Sequence, residues 1–252
     1  MMLIPYLFNC AKRDKIFFTI LAMLLASLVI SCFIGSTAAY EQTQMQIVYS
    51  AGTFRVILVY GFAIFNAFFI TKMFQTREVE TFLASPISRS SLISSIFFVN
   101  IILVASLSLI MCFLLKLLFF SVIPFLNIVI WCGNVMCETM IIVGVVTLFS
   151  LMLENATATI LLTTIFYITS RIMGFIISSI TLKFQGISAF SFLEFITLPV
   201  SVFFPRLDLF SQTSWLIYTD KIPNLTIIFT QSAIYIPLVF VACIIDFKKK
   251  VI

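Results

Sequence analysis

Long apolar runs alternate with short polar breaks along this chain, and their spacing predicts six membrane-crossing helices. A helix needs about 20 apolar residues to cross the hydrocarbon. Segments meeting that requirement run over 16–35, 53–73, 92–115, 122–153, 156–179 and 223–245. The fourth is long enough to tilt or project. Ahead of the first, "MMLIPYLFNC" is apolar, carries Pro5 and Tyr6, and leads into Lys12, Arg13 and Lys15. It predicts a short helix lying in the membrane interface. A full-length span follows that basic cluster, so the first helix reads as a signal anchor. The expected fold class is an all-α integral membrane protein, one transmembrane domain over 1–252.

One stretch of the outer segment 182–222 is ambiguous. "ISAFSFLEFITLPVSVFFP", Ile187 to Pro205, is nearly apolar enough for a seventh span, with Glu194 inside it and Pro199 following. Charge placement decides. With six spans and both termini cytoplasmic, nine basic residues face the cytoplasm: Lys12, Arg13, Lys15, Lys72, Arg77, Arg89, Lys248, Lys249 and Lys250. Five lie outside: Arg55, Lys116, Lys183, Arg206 and Lys221. A seventh span would put the triple-lysine tail outside, against the positive-inside tendency. The stretch is therefore expected as short re-entrant or interfacial helices on the outer face, packed on other spans or on a second copy, because backbone at that depth must be satisfied by protein or water.

The most polar long segment, "TREVETFLASPISRSS" over residues 76–91, joins the second and third spans. Val79, Phe82 and Leu83 recur at i, i+3 and i+4, which gives a short helix one apolar face. Arg77, Glu78 and Glu80 fall largely elsewhere. Ser85 suits an N-cap and Pro86 the first helical position after it. The expectation is a short helix ending near Ala84, a third span starting near Pro86, and Arg89 at the membrane edge. An apolar face turned to the cytoplasm would seat in a groove on a partner; the alternative is a helix resting on lipid headgroups.

"VETFLASPISR", Val79 to Arg89, resembles the cytoplasmic loop of membrane subunits of ATP-binding-cassette (ABC) exporters of the second type, which carry six spans each. Their loop commonly reads Gly-Thr-Leu-Glu-x-Leu-Leu-x-[Ser/Thr]-Pro-[Ile/Leu]-Ser-Arg. This chain matches from the Leu-Glu onward and has Arg77-Glu78 in place of Gly-Thr. Length, span number, amphipathic N-terminus and outer segment agree with the family's layout. The resemblance implies a coupling helix formed by Arg77, Glu78, Val79, Glu80, Phe82, Leu83, Ser85, Pro86 and Arg89. That helix would dock on a separate ATPase subunit, which holds the ATP and Mg. It implies a second permease subunit, identical or homologous, and residence in a bacterial inner (plasma) membrane. It implies no catalytic residue or cofactor in this chain. The haem-exporter permease of cytochrome c maturation shares the layout and stands as an alternative.

Composition agrees. The chain is 62% hydrophobic and 10% charged, with a mean hydropathy of +1.20; a soluble domain carries about 25% charged residues. There is no histidine, which removes His-based metal, haem and nucleophile sites within the chain. The few glycines form no phosphate loop and no dinucleotide fingerprint. The six cysteines sit mostly in apolar runs without metal-ligand spacing. Nucleic acid is not an expected partner. An intramembrane enzyme is disfavoured, with no Ser-Lys or paired-Asp arrangement in the spans; an assembly protein whose loop lies on lipid is the remaining non-transport alternative. The substrate expected of a transporter is apolar or amphipathic, moved outward.

Two ionisable residues lie inside spans, Glu138 and Arg171, and such residues usually face protein or a water-filled path. The fourth and fifth spans meet at the turn Glu154-Asn155, with Asn155 placed to cap. Glu138 lies 16 residues before Glu154, and Arg171 lies 16 after Asn155. At about 1.5 Å per residue both sit roughly 24 Å from the turn, level with each other. An ion pair fixing this hairpin is expected, with a direct substrate or gating role as the alternative. Glu194 would orient the outer helices or line an exit. Asn66 and Asn100 are expected to donate between helices.

Overall fold

Ten consecutive residues, Glu138 to Thr147, are buried on every side, and they lie in the helix at the centre of the molecule. A helix that is apolar all round must be surrounded by other helices or lipid. The computed structural model describes residues 3–13, 15–37, 41–84, 88–120, 122–183, 204–218 and 225–249, and it supplies that surround. In chain order the elements are α1 (Leu3–Arg13), α2 (Lys15–Thr37), α3 (Gln42–Gln75), α4 (Glu78–Ala84), α5 (Arg89–Leu118), α6 (Phe125–Leu153) and α7 (Ala156–Lys183). A 3₁₀ turn (Leu207–Leu209), a short α8 (Ser214–Ile217) and α9 (Leu225–Lys249) follow. No strand occurs among the described residues.

Six of these helices, α2, α3, α5, α6, α7 and α9, are long and apolar enough to cross a membrane. The chain is a multi-pass membrane protein. Helices α3, α5, α7 and α9 pack on α6, and α2 joins the bundle through α3. The most apolar stretch of α6 is 72% buried, against 22% for α2 and α9, so α6 is the core and the other two face lipid. Outward phenylalanines such as Phe113 and Phe120 then lie in hydrocarbon, where their exposure carries no hydrophobic cost.

The expected spans fall on these helices, with two differences at their ends. Helix α3 begins at Gln42, well before the expected 53. Hydropathy reads only the lipid-embedded part, whereas Gln and Met continue a helix at little cost. The extra turns also pack: Ser31 Oγ donates to the Gln46 carbonyl at 3.0 Å. The third span was expected to start at Pro86 behind a Ser85 cap. Instead α5 starts at Arg89, and Ser88 is its N-cap, accepting from Ser91 N at 3.2 Å. Ser85 and Pro86 lie outside the described residues, as does 187–203 with Glu194.

The α6–α7 turn forms as expected. Glu154 adopts a left-handed conformation, φ 52°. The Asn155 Oδ1 accepts from Thr157 N at 3.0 Å and Ala158 N at 3.4 Å, which satisfies amides at the start of α7. At the same end of the bundle Arg89 Nη1 donates to the Phe247 and Lys248 carbonyls, each at 3.4 Å, tying α5 to α9. This end, where α4 also sits, is called the α4 end below. Asn66 does not bridge helices: its Nδ2 donates to the Phe62 carbonyl of its own helix at 2.9 Å, because that acceptor stands one turn away.

Candidate functional site

Glu138 is 0% exposed, at the heart of α6. Burying a carboxylate costs several kcal/mol unless it is paired and hydrogen-bonded, so its partners define the site. Arg171 of α7 places Nη1 3.3 Å from Glu138 Oε1. The Tyr167 hydroxyl, one turn earlier on the same face of α7, donates to the same oxygen at 3.0 Å. The two residues that sequence spacing put level with each other are therefore brought together.

The pair also holds a third element. Arg171 Nη1 donates to the carbonyls of Leu207 (2.5 Å) and Phe210 (3.2 Å). Arg55 Nη1 of α3 donates to the Ser211 carbonyl at 3.1 Å, and Asn127 Nδ2 of α6 to that of Trp215 at 3.3 Å. The segment 204–218 thus enters the bundle end opposite α4, burying Leu207, Phe210 and Leu216. Its irregular backbone needs donors at that depth, and three long polar side chains supply them. Ser211 stands at φ 51°, which points its carbonyl toward Arg55's helix in this bend.

Gly174 explains how closely the segment approaches α7. A Cβ built there would overlap the Asp208 carboxylate. Asp208 in turn accepts from Arg206 Nη2 at 3.2 Å. Buried atoms in the cluster without a hydrogen bond are Glu138 Oε2, Ser211 Oγ, Arg55 Nε, Arg206 Nε and Asp208 Oδ1. Among the described residues no three His, Cys, Asp or Glu side chains gather as metal ligands. What this chemistry performs is clamping: one carboxylate and two guanidinium groups tie α3, α6 and α7 to the segment 204–218.

Tyr167, Arg55 and Ser211 were not singled out from sequence. Tyr167 was within reach, since it sits four residues before Arg171 and so shares its helix face. Arg55 was counted as an outer-side cation; its link to a carbonyl 156 residues away leaves no local signal.

The second candidate region is α4. It forms as a separate seven-residue helix, and the described part of its apolar face is turned at least partly inward. Val79 is 2% exposed, and Phe82 is half-buried with its ring edge-on to Tyr6, centroids 5.6 Å apart. Helix α3 packs on α4, and α1 adds a ring contact. Helix α1 folds back along α5 and reaches α4 through Tyr6, so part of the expected apolar face, Val79 and one side of Phe82, is covered within the chain. The Leu83 side chain lies outside the described residues. Outward on α4 are Glu80 and the adjoining Arg77, which form an exposed pair at 4.0 Å; Glu78 is half-buried.

Arg77 also carries the break between α3 and α4. Its φ is 56°, in the left-handed region that favours glycine. This is the position where the resembling ABC loops carry glycine. The Arg77 N–H donates to the Phe74 carbonyl at 3.2 Å and Thr76 N to that of Lys72 at 2.9 Å, closing α3 before the chain turns. No protein-family model and no curated protein matches this chain.

Proposed function

We propose that this protein is the membrane subunit of an ABC exporter, acting as a pair of such subunits with a separate ATPase. The observation that carries the reading is α4. It is a short independent helix in the loop joining the second and third spans, set off by a left-handed residue where the resembling loops use glycine. In this reading the α4 end is cytoplasmic, which agrees with the Lys and Arg residues gathered there.

Burial of Val79 and half-burial of Phe82 change how such a helix would work. Its apolar side fixes it to α1 and α3, and its charged side, Arg77 and Glu80, meets the motor. A push on that surface passes directly into α3, because Val79 is packed into the core. The spans would move as levers while the Glu138–Arg171 clamp keeps α6, α7 and the re-entering segment together.

The test is affinity purification of the full chain from its native membrane, with vanadate-sensitive ATP hydrolysis measured in the eluate. Co-eluting hydrolysis is expected, reduced about tenfold or more by the double charge reversal Arg77→Glu/Glu80→Lys, since reversed charges at an interface disfavour the partner. Both side chains are exposed, so the bundle should remain folded. A folded chain with no co-eluting ATPase, or an unchanged ATPase in the variant, would overturn the proposal.

A further inference from the structure

Two thiols meet where the third span packs on the core helix. Cys112 of α5 lies six residues before the end of its helix at Leu118, and Cys132 of α6 lies seven residues after the start of its helix at Phe125. The connection between the helices, 119–124, is short. Near-equal distances from one short connection set the two residues level, about 9–10 Å along their helices at the rise per residue. They also face each other, for the Cys112 thiol is in hydrogen-bonding contact with that of Cys132. Both are free thiols in the structure.

A free cysteine in a span is usually a small buried hydrophobe. What sets this pair apart is that each thiol has the other as its neighbour. Elsewhere Cys243 donates to the Gly144 carbonyl at 3.9 Å, Cys137 meets Ser232 of α9, Cys10 meets Tyr6, and Cys32 is exposed on α2.

Depth makes the pair reachable. Helix α5 has 30 residues and is therefore about 45 Å long, against about 30 Å of hydrocarbon. About 7 Å of helix can project on each side, so Cys112 stands close to the boundary between hydrocarbon and headgroups at the end opposite α4. Cys112 is half-buried, whereas Cys132 is 6% exposed. A reagent at the membrane surface meets Cys112 first.

We propose that Cys112 and Cys132 form a reversible disulfide that braces α5 against α6, made by exchange with a thiol–disulfide oxidant at the membrane surface. The Cys112 thiolate attacks one sulfur of the oxidant's disulfide, and the other sulfur leaves as a thiolate. The Cys132 thiolate then attacks Cys112 Sγ and expels the remaining sulfur. Both cysteine protons pass to the oxidant's sulfurs, so one disulfide forms in this chain while one is reduced in the oxidant. A disulfide bond is about 2.05 Å long, with its Cβ atoms roughly 3.8 Å apart. Level thiols already in contact reach that geometry by side-chain rotation, with no change of register between the helices. The bond would fix the span that follows α4 to the core helix, and so restrain its movement. This brace follows from the packing of α5 on α6 and does not depend on the ATP-driven reading. That its end of the bundle meets the oxidising side of the membrane rests on the orientation proposed above.

The test uses the full chain purified in detergent and equilibrated with mixtures of glutathione and glutathione disulfide. Thiols are trapped by acid, labelled with N-ethylmaleimide after denaturation, and located by peptide mass spectrometry. As the disulfide fraction rises, Cys112 and Cys132 should lose their labels together and appear as one linked peptide pair, while Cys137 and Cys243 stay labelled. The Tm should rise by about 4–8 °C and fall back on adding dithiothreitol. Cys112→Ser, at the half-buried position, should keep the Tm of the reduced chain and abolish both the link and the rise. Cys137→Ser should leave both unchanged. Labels retained on Cys112 and Cys132 at every ratio, a glutathione adduct that persists on Cys112 with Cys132 still labelled, or a rise in Tm that Cys112→Ser keeps would overturn the proposal.

Discussion

Arg171→Leu removes the cation 3.3 Å from a carboxylate that is 0% exposed. Tyr167 alone would then face the charge on Glu138 Oε1. Breaking a buried pair in this way costs about 3–5 kcal/mol. Glu138→Gln is milder. Gln keeps an acceptor for Tyr167, and the Arg171 side chain, 22% exposed, retains the Leu207 and Phe210 carbonyls and some access to solvent; about 1–2 kcal/mol is expected. In the double variant Glu138→Gln/Arg171→Leu no buried charge remains. Its loss should be about that of the two carbonyl contacts, roughly 1 kcal/mol each, and therefore below the sum of the singles by about 2 kcal/mol or more. In a chain of this size each kcal/mol moves Tm by about 2–4 °C, so Arg171→Leu should lower Tm by about 6–20 °C and the double variant by less. The assay is thermal unfolding of the purified chain in detergent, with each variant's helicity checked by circular dichroism. Strictly additive losses would refute the pairing as an energetic unit, whatever the distance between the groups.

Two further outcomes follow from packing at the ends of α7. Gly174→Ala should cost about 1–3 kcal/mol through overpacking, since the new methyl overlaps the Asp208 carboxylate; Gly174→Ala/Asp208→Ala should recover most of the lost Tm, and a failure to recover would place the strain elsewhere. Asn155→Ala removes the cap on Thr157 N and Ala158 N and should cost about 1 kcal/mol, read as a few degrees in Tm with α7 otherwise intact.

Much of the bundle can be read from local pattern. Six apolar runs became six long helices because transfer into hydrocarbon depends on composition over about 20 residues, whatever the run packs against. The α6–α7 turn was legible for the same local reason, since Asn155 caps amides two and three residues on. Even the Glu138–Arg171 pair was foreseeable. Equal spacing from one tight turn sets two side chains level, and two opposite charges inside spans have strong reason to meet.

Other features had no local signature. Val79, Phe82 and Leu83 announced an apolar face but not its direction. Val79 is buried in the core, and Phe82 meets the ring of Tyr6 in α1, more than 60 positions earlier in the chain. The 204–218 segment likewise takes its donors from Arg55, Asn127 and Arg171, on three different helices. A lipid-facing phenylalanine and a buried one also look the same in sequence, because lipid tails are as apolar as a protein core.

The sequence by itself therefore determined the membrane class, the number of spans, the sharp α6–α7 turn and the presence of charge that must be matched inside the bilayer. Tertiary structure alone decided that α6 is the core, that Val79 is buried, and that a polar clamp holds the segment 204–218. The physical reason is the range of the forces. Partitioning into lipid and capping act over one helix turn to one span, whereas the burial of a face depends on which distant segment comes to lie against it.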